Sequence, residues 1–340
     1  MGLGPSGAGR VAAALLAGPR PSVLWLSFAG CTACTETFLR AVNPYIDDLI
    51  LGSISLDYHE TLLAGSGDSA TALLSDTAVR LQGQFFAVVE GAIPTSDHGN
   101  FGAIGGTTML NMAGAILPLA KAIIAIGSCS SYGGIQAALP NPTGAMGVKN
   151  VLPSLSVPVV NVPGCPPNPL NVVGVIVNYL LNGTLPGLDS NGRPRFAYGS
   201  TVHDNCPFQG DSTRCLIQKG CKGPVCYNNC PTIGFNEGTS FCMKAGHPCI
   251  GCSEPDFWDR MPSFYYKNYQ DVAVKPGPVS PHSAESGKLQ KEIFDVRGRR
   301  IGVISDLKQA GVQARKQPAP GAYIGKSSRK TADKIITGGL

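Results

Sequence analysis

Twelve cysteines are distributed unevenly along this chain of 340 residues. Eight of them crowd into residues 206–252, among many prolines and glycines, and the other four are spread over residues 31–165. Twelve is too few for a disulfide-stapled scaffold, in which cysteine exceeds about 8–10% of a much shorter chain. The crowding instead predicts that these thiols bind metal.

The first half of the chain alternates apolar runs with helical segments. Five runs are typical of short buried strands: residues 22–28, 49–56, 85–90, 122–126 and 157–162. Four other segments have the pattern of helices: residues 35–42, 69–81, 107–120 and 169–181. This alternation predicts a doubly wound parallel sheet over about residues 20–195.

The four early cysteines follow the predicted strands. Cys31 and Cys34 come after the first strand, Cys129 after the fourth and Cys165 after the fifth. Ligands of such sheets bind beyond the carboxyl ends of the strands. We therefore expect these four thiols to converge at one edge, whereas structural cysteines would lie inside the strands and helices.

Residues 203–252 have little apolar periodicity, so few of their residues are expected to form a hydrophobic core. Metal sites would then have to supply the cross-links that hold this region together. Cys31-x-x-Cys34 and Cys249-x-x-Cys252 have the short spacing that zinc uses, but zinc sites usually combine two compact pairs. Iron–sulfur clusters need thiolates, tolerate distant ligands and occasionally accept a histidine. Both metals remain open on spacing alone.

Composition excludes several classes of protein. With 43% hydrophobic and 14% charged residues, most of the chain is not disordered. No run approaches the ~20 apolar residues that span a bilayer.

Residues 276–340 carry 12 Lys and Arg against 5 Asp and Glu, so the basic excess belongs to this tail.

Eight motifs, in order, resemble the small subunit of [NiFe] hydrogenases. They are GCTACTE at 30–36, VEGAIP at 89–94, GSC at 127–129, GCPPNP at 164–169, HDNC at 203–206, GCKGP at 220–224, YNNC at 227–230 and GHPCIGCSEPDFW at 246–258. The similarity covers roughly residues 20–265. It implies an α/β protein with a flavodoxin-like doubly wound parallel sheet and a smaller, irregular iron–sulfur-binding C-terminal domain.

The resemblance also implies three clusters and their ligands. The proximal [4Fe-4S] set is Cys31, Cys34, Cys129 and Cys165. The distal [4Fe-4S] set is His203, Cys206, Cys215 and Cys221, although the gap between Cys206 and Cys215 is shorter than the family usually has. The medial set is Cys230, Cys249 and Cys252, with Cys242 where many relatives have proline.

Two departures from the family bear on the clusters. Cys242 can supply a fourth medial thiolate, which predicts three [4Fe-4S] clusters. A medial [3Fe-4S] cluster is the alternative. Cys226 is not assigned to any of the three clusters. Oxygen-tolerant relatives carry two extra proximal cysteines, but Ala33 and Gly134 occupy those positions here. We therefore expect an ordinary proximal cubane and sensitivity to oxygen.

The expected organisation is an N-terminal extension over residues 1–20, the proximal-cluster domain over 20–195, a medial- and distal-cluster domain over 196–275, and a basic tail over 276–340. The expected function is electron transfer between the Ni–Fe centre of a separate large subunit and a redox partner, during H2 oxidation or proton reduction. No residue of this chain is expected to be catalytic.

The expected partners are the [NiFe] hydrogenase large subunit and a cytochrome, a quinone-linked membrane subunit or another acceptor, with no nucleic acid. The resemblance implies a periplasmic or membrane-associated location, but residues 1–20 hold no clear export signal, so a cytoplasmic location stays open. Two rivals are a respiratory-complex subunit with the proximal cluster alone and a zinc-stabilised binding protein.

The basic tail should dock on an acidic surface, either an anionic membrane face or an acidic partner subunit; a solvated tail without a partner is the alternative. Deleting residues 276–340 should weaken membrane or partner association at low salt, because salt screens such attraction. Association unchanged by the deletion at low salt would show that the tail has no docking role.

Overall fold

The computed structural model describes residues 20–42 and 45–260, together with four strands beyond residue 290. Its main sheet has five parallel strands: β1 (Ser22–Ser27), β2 (Ser55–His59), β3 (Phe86–Glu90), β4 (Ala122–Ile126) and β5 (Val159–Val162). Their spatial order is β2-β1-β3-β4-β5. This is the flavodoxin-like order, with its switch point between β1 and β3, so the predicted fold class is confirmed.

Among the described residues, the α-helices of five or more residues are α1 (Ala33–Phe38), α2 (Asp68–Arg80), α3 (Met109–Ile116), α4 (Gly127–Tyr132) and α5 (Pro169–Asn182). Shorter α-helical turns cover Ile46–Asp48, Val148–Val151, Arg195–Tyr198, Cys230–Ile233 and Phe257–Arg260. The long helix α5 begins where the Asn168 side chain accepts a hydrogen bond from the N–H of Leu170, at 3.0 Å. It ends at Gly183, which adopts a left-handed conformation.

Both faces of the sheet are covered, because successive strand residues point to opposite faces. Val23 and Trp25 of β1 belong to one apolar cluster, which also contains Val172 and Ile176 of α5. Leu24 belongs to the other cluster, with residues of α2 and α3. The sheet is therefore the middle layer of three.

The register brings the strand ends level. Ser27 pairs with Glu90, Glu90 with Ile126, and Ile126 with Val162. The loops after β1, β3, β4 and β5 consequently leave the sheet along one straight edge.

One predicted strand was wrong in position. Residues 49–56 were expected to form the second strand, but Leu49–Ser53 form a π-helical turn and β2 covers Ser55–His59. A short apolar run cannot by itself distinguish a strand from a helical turn. Here Leu49 is buried whereas Leu51 is 72% exposed, so the run does not cross the core as a strand does.

The strands after residue 290 form a second unit. Lys291–Asp295 pairs antiparallel with Arg300–Ile304, and parallel with Lys334–Thr337. Ala322–Ile324 pairs antiparallel with Lys334–Thr337. In the part of the chain that is described, no helix has the length and apolarity needed to cross a bilayer.

Gly91 joins β3 to the loop beside the first cysteines. Ala29 and Ala92 exchange backbone hydrogen bonds of 3.0 and 2.7 Å across this loop. Gly91 has a φ of +87°, and a Cβ there would lie 2.7 Å from the carbonyl carbon of Phe28. Only glycine fits this crossing without moving the backbone.

Replacing Gly91 with alanine should therefore lower the free energy of unfolding by about 2 kcal/mol or more, from strain and backbone displacement. Gly114 is the matched control, since it lies in α3 with nothing within 4 Å of a Cβ. Gly114→Ala should stabilise the helix by about 0.5–1 kcal/mol. Thermal unfolding of both variants checks this, and an unchanged Gly91→Ala would contradict it.

Candidate iron–sulfur sites

The proximal set lies at the level edge of the sheet. Cys34 lies in α1, Cys129 in α4, and Cys31 and Cys165 in the loops after β1 and β5. Burial raises the pKa of Cys34, and Glu90 and the other three thiols raise it further. Burial, followed by Cys165, raises the pKa of Cys129 to about 11. The structure thus brings together four thiols that are separated by up to 134 positions in the sequence.

Helix α4 lies directly against these sulfurs. A Cβ at Gly127, the first residue of α4, would come within 2.5 Å of Cys34 Sγ. A Cβ at Gly134, in the turn after the helix, would come within 2.7 Å of Cys129 Sγ. The sequence pattern did not predict α4. Its first residue follows β4 immediately, so strand and helix together point Cys129 toward the edge.

Glu90, the last residue of β3, anchors the loop that carries Cys31 and Cys34. Its carboxylate accepts hydrogen bonds from the N–H groups of Cys34, at 2.9 Å, and Thr35, at 3.2 Å. It also accepts from Thr35 Oγ1, at 2.5 Å, and Trp25 Nε1, at 3.3 Å. Glu90 is only 2% exposed, so these donors satisfy a buried acceptor. Glu90 lies in the motif at 89–94, but its role was not predicted.

Ser128 links the proximal set to the cysteine-rich region. Its hydroxyl accepts a hydrogen bond from the N–H of Gly164 at 3.0 Å and donates to the carbonyl oxygen of Cys252. Ser128 stands next to Cys129, and Gly164 stands next to Cys165. The chain segments that carry two proximal candidate ligands are therefore hydrogen-bonded, through Ser128, to the backbone of the medial candidate Cys252.

The medial set lies around a fifth thiol, Cys226. Burial raises the pKa of Cys230, and the neighbouring Cys226 and Cys242 raise it further. Burial also raises the pKa of Cys252, with Cys226 and Cys230 adding to the effect. Cys226, together with burial, also raises the pKa of Cys249. The structure brings the four predicted medial thiols together and adds the leftover one.

The distal set contacts the medial one. Burial raises the pKa of Cys221, and the nearby Cys206 and Cys215 raise it as well. The N–H of Cys206 donates to the carbonyl of His203 at 3.1 Å, which keeps these two candidate ligands in one turn. The N–H of Cys249 donates to Cys221 Sγ at 3.2 Å. The distal and medial sets are therefore also joined by one hydrogen bond.

An ion-pair network holds the segment after Cys252 against the sheet domain. The Arg193 guanidinium is paired with Asp189 at 2.7 Å and Glu254 at 2.8 Å, and it donates to the carbonyl of Ser253 at 3.2 Å. Glu254 in turn accepts from the N–H of Tyr227 at 2.6 Å. Arg193 is 4% exposed, and its partners lie up to 61 positions away, so the sequence pattern gave no sign of this network.

Lys222 is a second buried cation that was not predicted. It follows Cys221 in the sequence and is 2% exposed. The backbone N–H of Lys222 donates to the carbonyl oxygen of Cys249 at 2.8 Å. Burial lowers the pKa of its ammonium, whereas the adjacent Cys221 raises it. Lys222 thus places a basic side chain beside the distal set, where thiolate charge would accumulate.

The chemistry of these donors fits iron–sulfur clusters. Crowded, buried thiolates repel one another, and iron offsets that charge. Backbone N–H groups already point at two sulfurs, with Gly251 donating to Cys249 Sγ at 3.4 Å and Cys249 to Cys221 Sγ. Among the described residues, no three His, Cys, Asp or Glu side chains are arranged to hold a single metal ion.

Two family models match the chain. The model described as "NADH ubiquinone oxidoreductase, 20 Kd subunit" matches residues 31–179. The model of the C-terminal part of the NiFe/NiFeSe hydrogenase small subunit matches residues 198–265. The first therefore covers the sheet domain with the proximal set, and the second covers the medial and distal sets.

Characterised relatives agree with the second model. The periplasmic [NiFe] hydrogenase small subunit 1 of Nitratidesulfovibrio vulgaris is 50% identical over 281 residues, covering 78% of this chain and 88% of the relative. The quinone-reactive Ni/Fe-hydrogenase small chain of Wolinella succinogenes is 44% identical over 263 residues, covering 72% of this chain and 73% of the relative.

Solved structures show the same likeness. The reduced, active Ni-Fe-Se hydrogenase of Desulfomicrobium baculatum matches with a TM-score of 0.69 at 37% identity, covering 73% of this chain and 99% of that one. The actinobacterial-type NiFe-hydrogenase of Ralstonia eutropha H16 matches with a TM-score of 0.64 at 26% identity, covering 93% and 95%.

Replacing Glu90 with alanine should destabilise the protein by about 3 kcal/mol or more, because several buried donors lose their acceptor at ~1–3 kcal/mol each. Iron content should fall with it, since the loop carrying Cys31 and Cys34 loses its anchor. Glu36→Ala is the control: Glu36 is exposed in the same helix and should change stability by less than about 0.5 kcal/mol. Thermal unfolding and iron analysis provide the readouts, and equal effects of the two variants would refute the anchoring role.

Proposed function

This chain belongs to the small subunits of [NiFe] hydrogenases, and we propose that it conducts electrons, through three iron–sulfur clusters, between the Ni–Fe site of a separate large subunit and a redox partner. Small subunits of this family are part of a hydrogenase heteromer. The proposed catalytic metal therefore lies in the partner, and H2 oxidation or proton reduction occurs there.

The proposed ligands follow the three thiol groups. The proximal cluster takes Cys31, Cys34, Cys129 and Cys165; the medial takes Cys230, Cys242, Cys249 and Cys252; the distal takes His203, Cys206, Cys215 and Cys221. The observation that carries this proposal is that medial residues contact both neighbouring sets. Ser128, next to Cys129, donates a hydrogen bond to the carbonyl oxygen of Cys252, and the N–H of Cys249 donates to Cys221 Sγ.

Iron–sulfur clusters supply one-electron redox centres, and the residues of this chain set the conditions for them. Burial of Cys34 and Cys249 keeps water away from these two thiols and lowers the local dielectric. Backbone N–H groups that donate to sulfur, and the basic side chain of Lys222 beside Cys221, stabilise added negative charge. The Ser128 and Arg193 contacts fix the medial loop relative to the proximal one.

The proposed proximal cluster has four thiolates and no more. Ala33 has no ligating atom, and Gly134 lies so close to Cys129 that a Cβ would be 2.7 Å from its sulfur. A cysteine at 134 would require the backbone to move. This supports an ordinary cubane and, with it, sensitivity to oxygen.

The respiratory-complex rival does not account for the second half of the site. A respiratory-complex subunit with the proximal cluster alone fits the family model over 31–179, but it leaves the thiol groups of residues 203–252 without a role. One relative is named as periplasmic and another as quinone-reactive, which favours a periplasmic location and a quinone-linked acceptor. Both are proposed for this chain.

Isolation of the native complex tests the function. We expect a large subunit that contains nickel to co-purify, H2-dependent reduction of an artificial acceptor, and about twelve iron atoms per small subunit. Elemental analysis distinguishes the zinc alternative. Zinc in place of iron, or about four irons with no H2 activity, would refute the proposal.

The medial cluster should be [4Fe-4S], because Cys242 lies among the medial thiols and can supply the fourth ligand. In the Cys242→Pro variant one corner loses its ligand, so a [3Fe-4S] cluster of higher potential should form. Electron paramagnetic resonance of the oxidised protein should show the [3Fe-4S] signal in the variant alone. A strong [3Fe-4S] signal in intact wild-type protein would contradict the assignment.

A further inference from the structure

The helical turn Cys230–Ile233 is held at both ends by side chains from the start of α5. At the N-terminal end two amides exchange hydrogen bonds: Asn171 Nδ2 donates to Asn229 Oδ1 at 3.0 Å, and Asn229 Nδ2 donates to Asn171 Oδ1 at 2.9 Å. At the C-terminal end, Asn168 Nδ2 donates to the carbonyl oxygen of Gly234. The first residue of this turn is a proposed medial ligand.

The two asparagines at the start of α5 belong to the segment of a proximal ligand. Asn168 and Asn171 follow Cys165 by three and six positions. Asn168 is 2% exposed and Asn171 is 1% exposed, and buried amides require partners such as these. The amide oxygen of Asn168 caps α5, while its nitrogen makes the bond to the turn. The segment after Cys165 is therefore fixed to the turn of Cys230 by three directional hydrogen bonds.

The asparagine pair holds a part of the medial site that the other links do not hold directly. Ser128 and Arg193 contact the backbone of Cys252 and Ser253, after the CxxC motif. Asn171 instead contacts the residue just before Cys230. In a reciprocal amide pair each side chain uses one donor and its acceptor, so both bonds form in a single relative orientation.

We propose that the Asn171–Asn229 pair sets the distance between the proximal and medial clusters, and thereby the rate of electron transfer between them. This inference rests on the proposed function, since it requires clusters at Cys165 and Cys230. One electron leaves the reduced proximal cluster and reduces the medial one, and such transfer slows steeply as the distance between the centres grows. Neither asparagine binds iron, so both are positioning residues that act through these two cysteines.

A matched pair of leucine variants tests this role. Leucine resembles asparagine in shape but has no polar atom, so Asn171→Leu removes both hydrogen bonds and leaves the Asn229 amide unpaired. Asn182→Leu is the control, because Asn182 is exposed at the other end of α5. Electron paramagnetic resonance of the intact, fully reduced complex measures the splitting between the spins of the two clusters, which depends on their distance.

In Asn171→Leu the splitting should be lost or spread over a broad range, and reduction of the medial cluster by H2 should slow several-fold in rapid mixing. In Asn182→Leu both should equal the wild type. Asn171→Asp keeps the shape and the bond from Asn229 Nδ2 but loses the other bond, so it should show a smaller change of the same kind. It also provides the test if the leucine variant does not assemble.

Unchanged splitting and rate in Asn171→Leu, with full iron content, would overturn the proposal. So would unchanged values in Asn171→Asp where the leucine variant does not assemble, or equal effects of Asn171→Leu and Asn182→Leu. Loss of medial iron in both Asn171 variants would also overturn it, because the pair would then serve cluster assembly rather than spacing. Failure of the proposed function is distinguishable, since the wild-type complex itself would then show no pair of interacting cluster signals.

Discussion

The carboxylate of Glu90 is the constraint around which the proximal site is arranged. It ends the central strand β3, beside the switch point of the sheet, and it is buried. A buried carboxylate must be satisfied by donors, and here the donors are the first N–H groups of α1 and the side chains of Thr35 and Trp25. Cys31 and Cys34 therefore enter the edge of the sheet at a fixed position, and α4 packs against them.

Much of this edge could be predicted from the sequence. Parallel strands place their carboxyl ends together, so cysteines after the first, fourth and fifth strands had to meet if those strands were assigned correctly. Four of the five predicted strands overlap the observed ones closely. The run at 49–56 was misplaced because its apolar residues are compatible with either a helical turn or a strand, and only the packing of Leu49 and Leu51 decides.

The contacts that support the sites could not be predicted in this way. Glu90 is hydrogen-bonded to Cys34, which lies 56 positions earlier in the sequence. Ser128 is hydrogen-bonded to Cys252, 124 positions later, and Arg193 is paired with Glu254, 61 positions later. No periodic pattern in the sequence predicts such pairs. In residues 203–252, only the resemblance to a family divides the thiols into sets. The chain is irregular there, so it has no strand ends from which the convergence of particular thiols could be predicted.

The irregular region also differs from the sheet domain in what holds it together. Its apolar core contains six buried residues, and two of them, Cys226 and Cys249, are thiols of the medial site. So small a core supplies little of the stability that the sheet domain draws from two large clusters. Arg193 and Ser128 attach the region to the sheet, but the crowded thiolates repel one another until iron binds. Iron binding therefore contributes directly to the folding free energy of this region, and the electron path and the fold are stabilised by the same ligands.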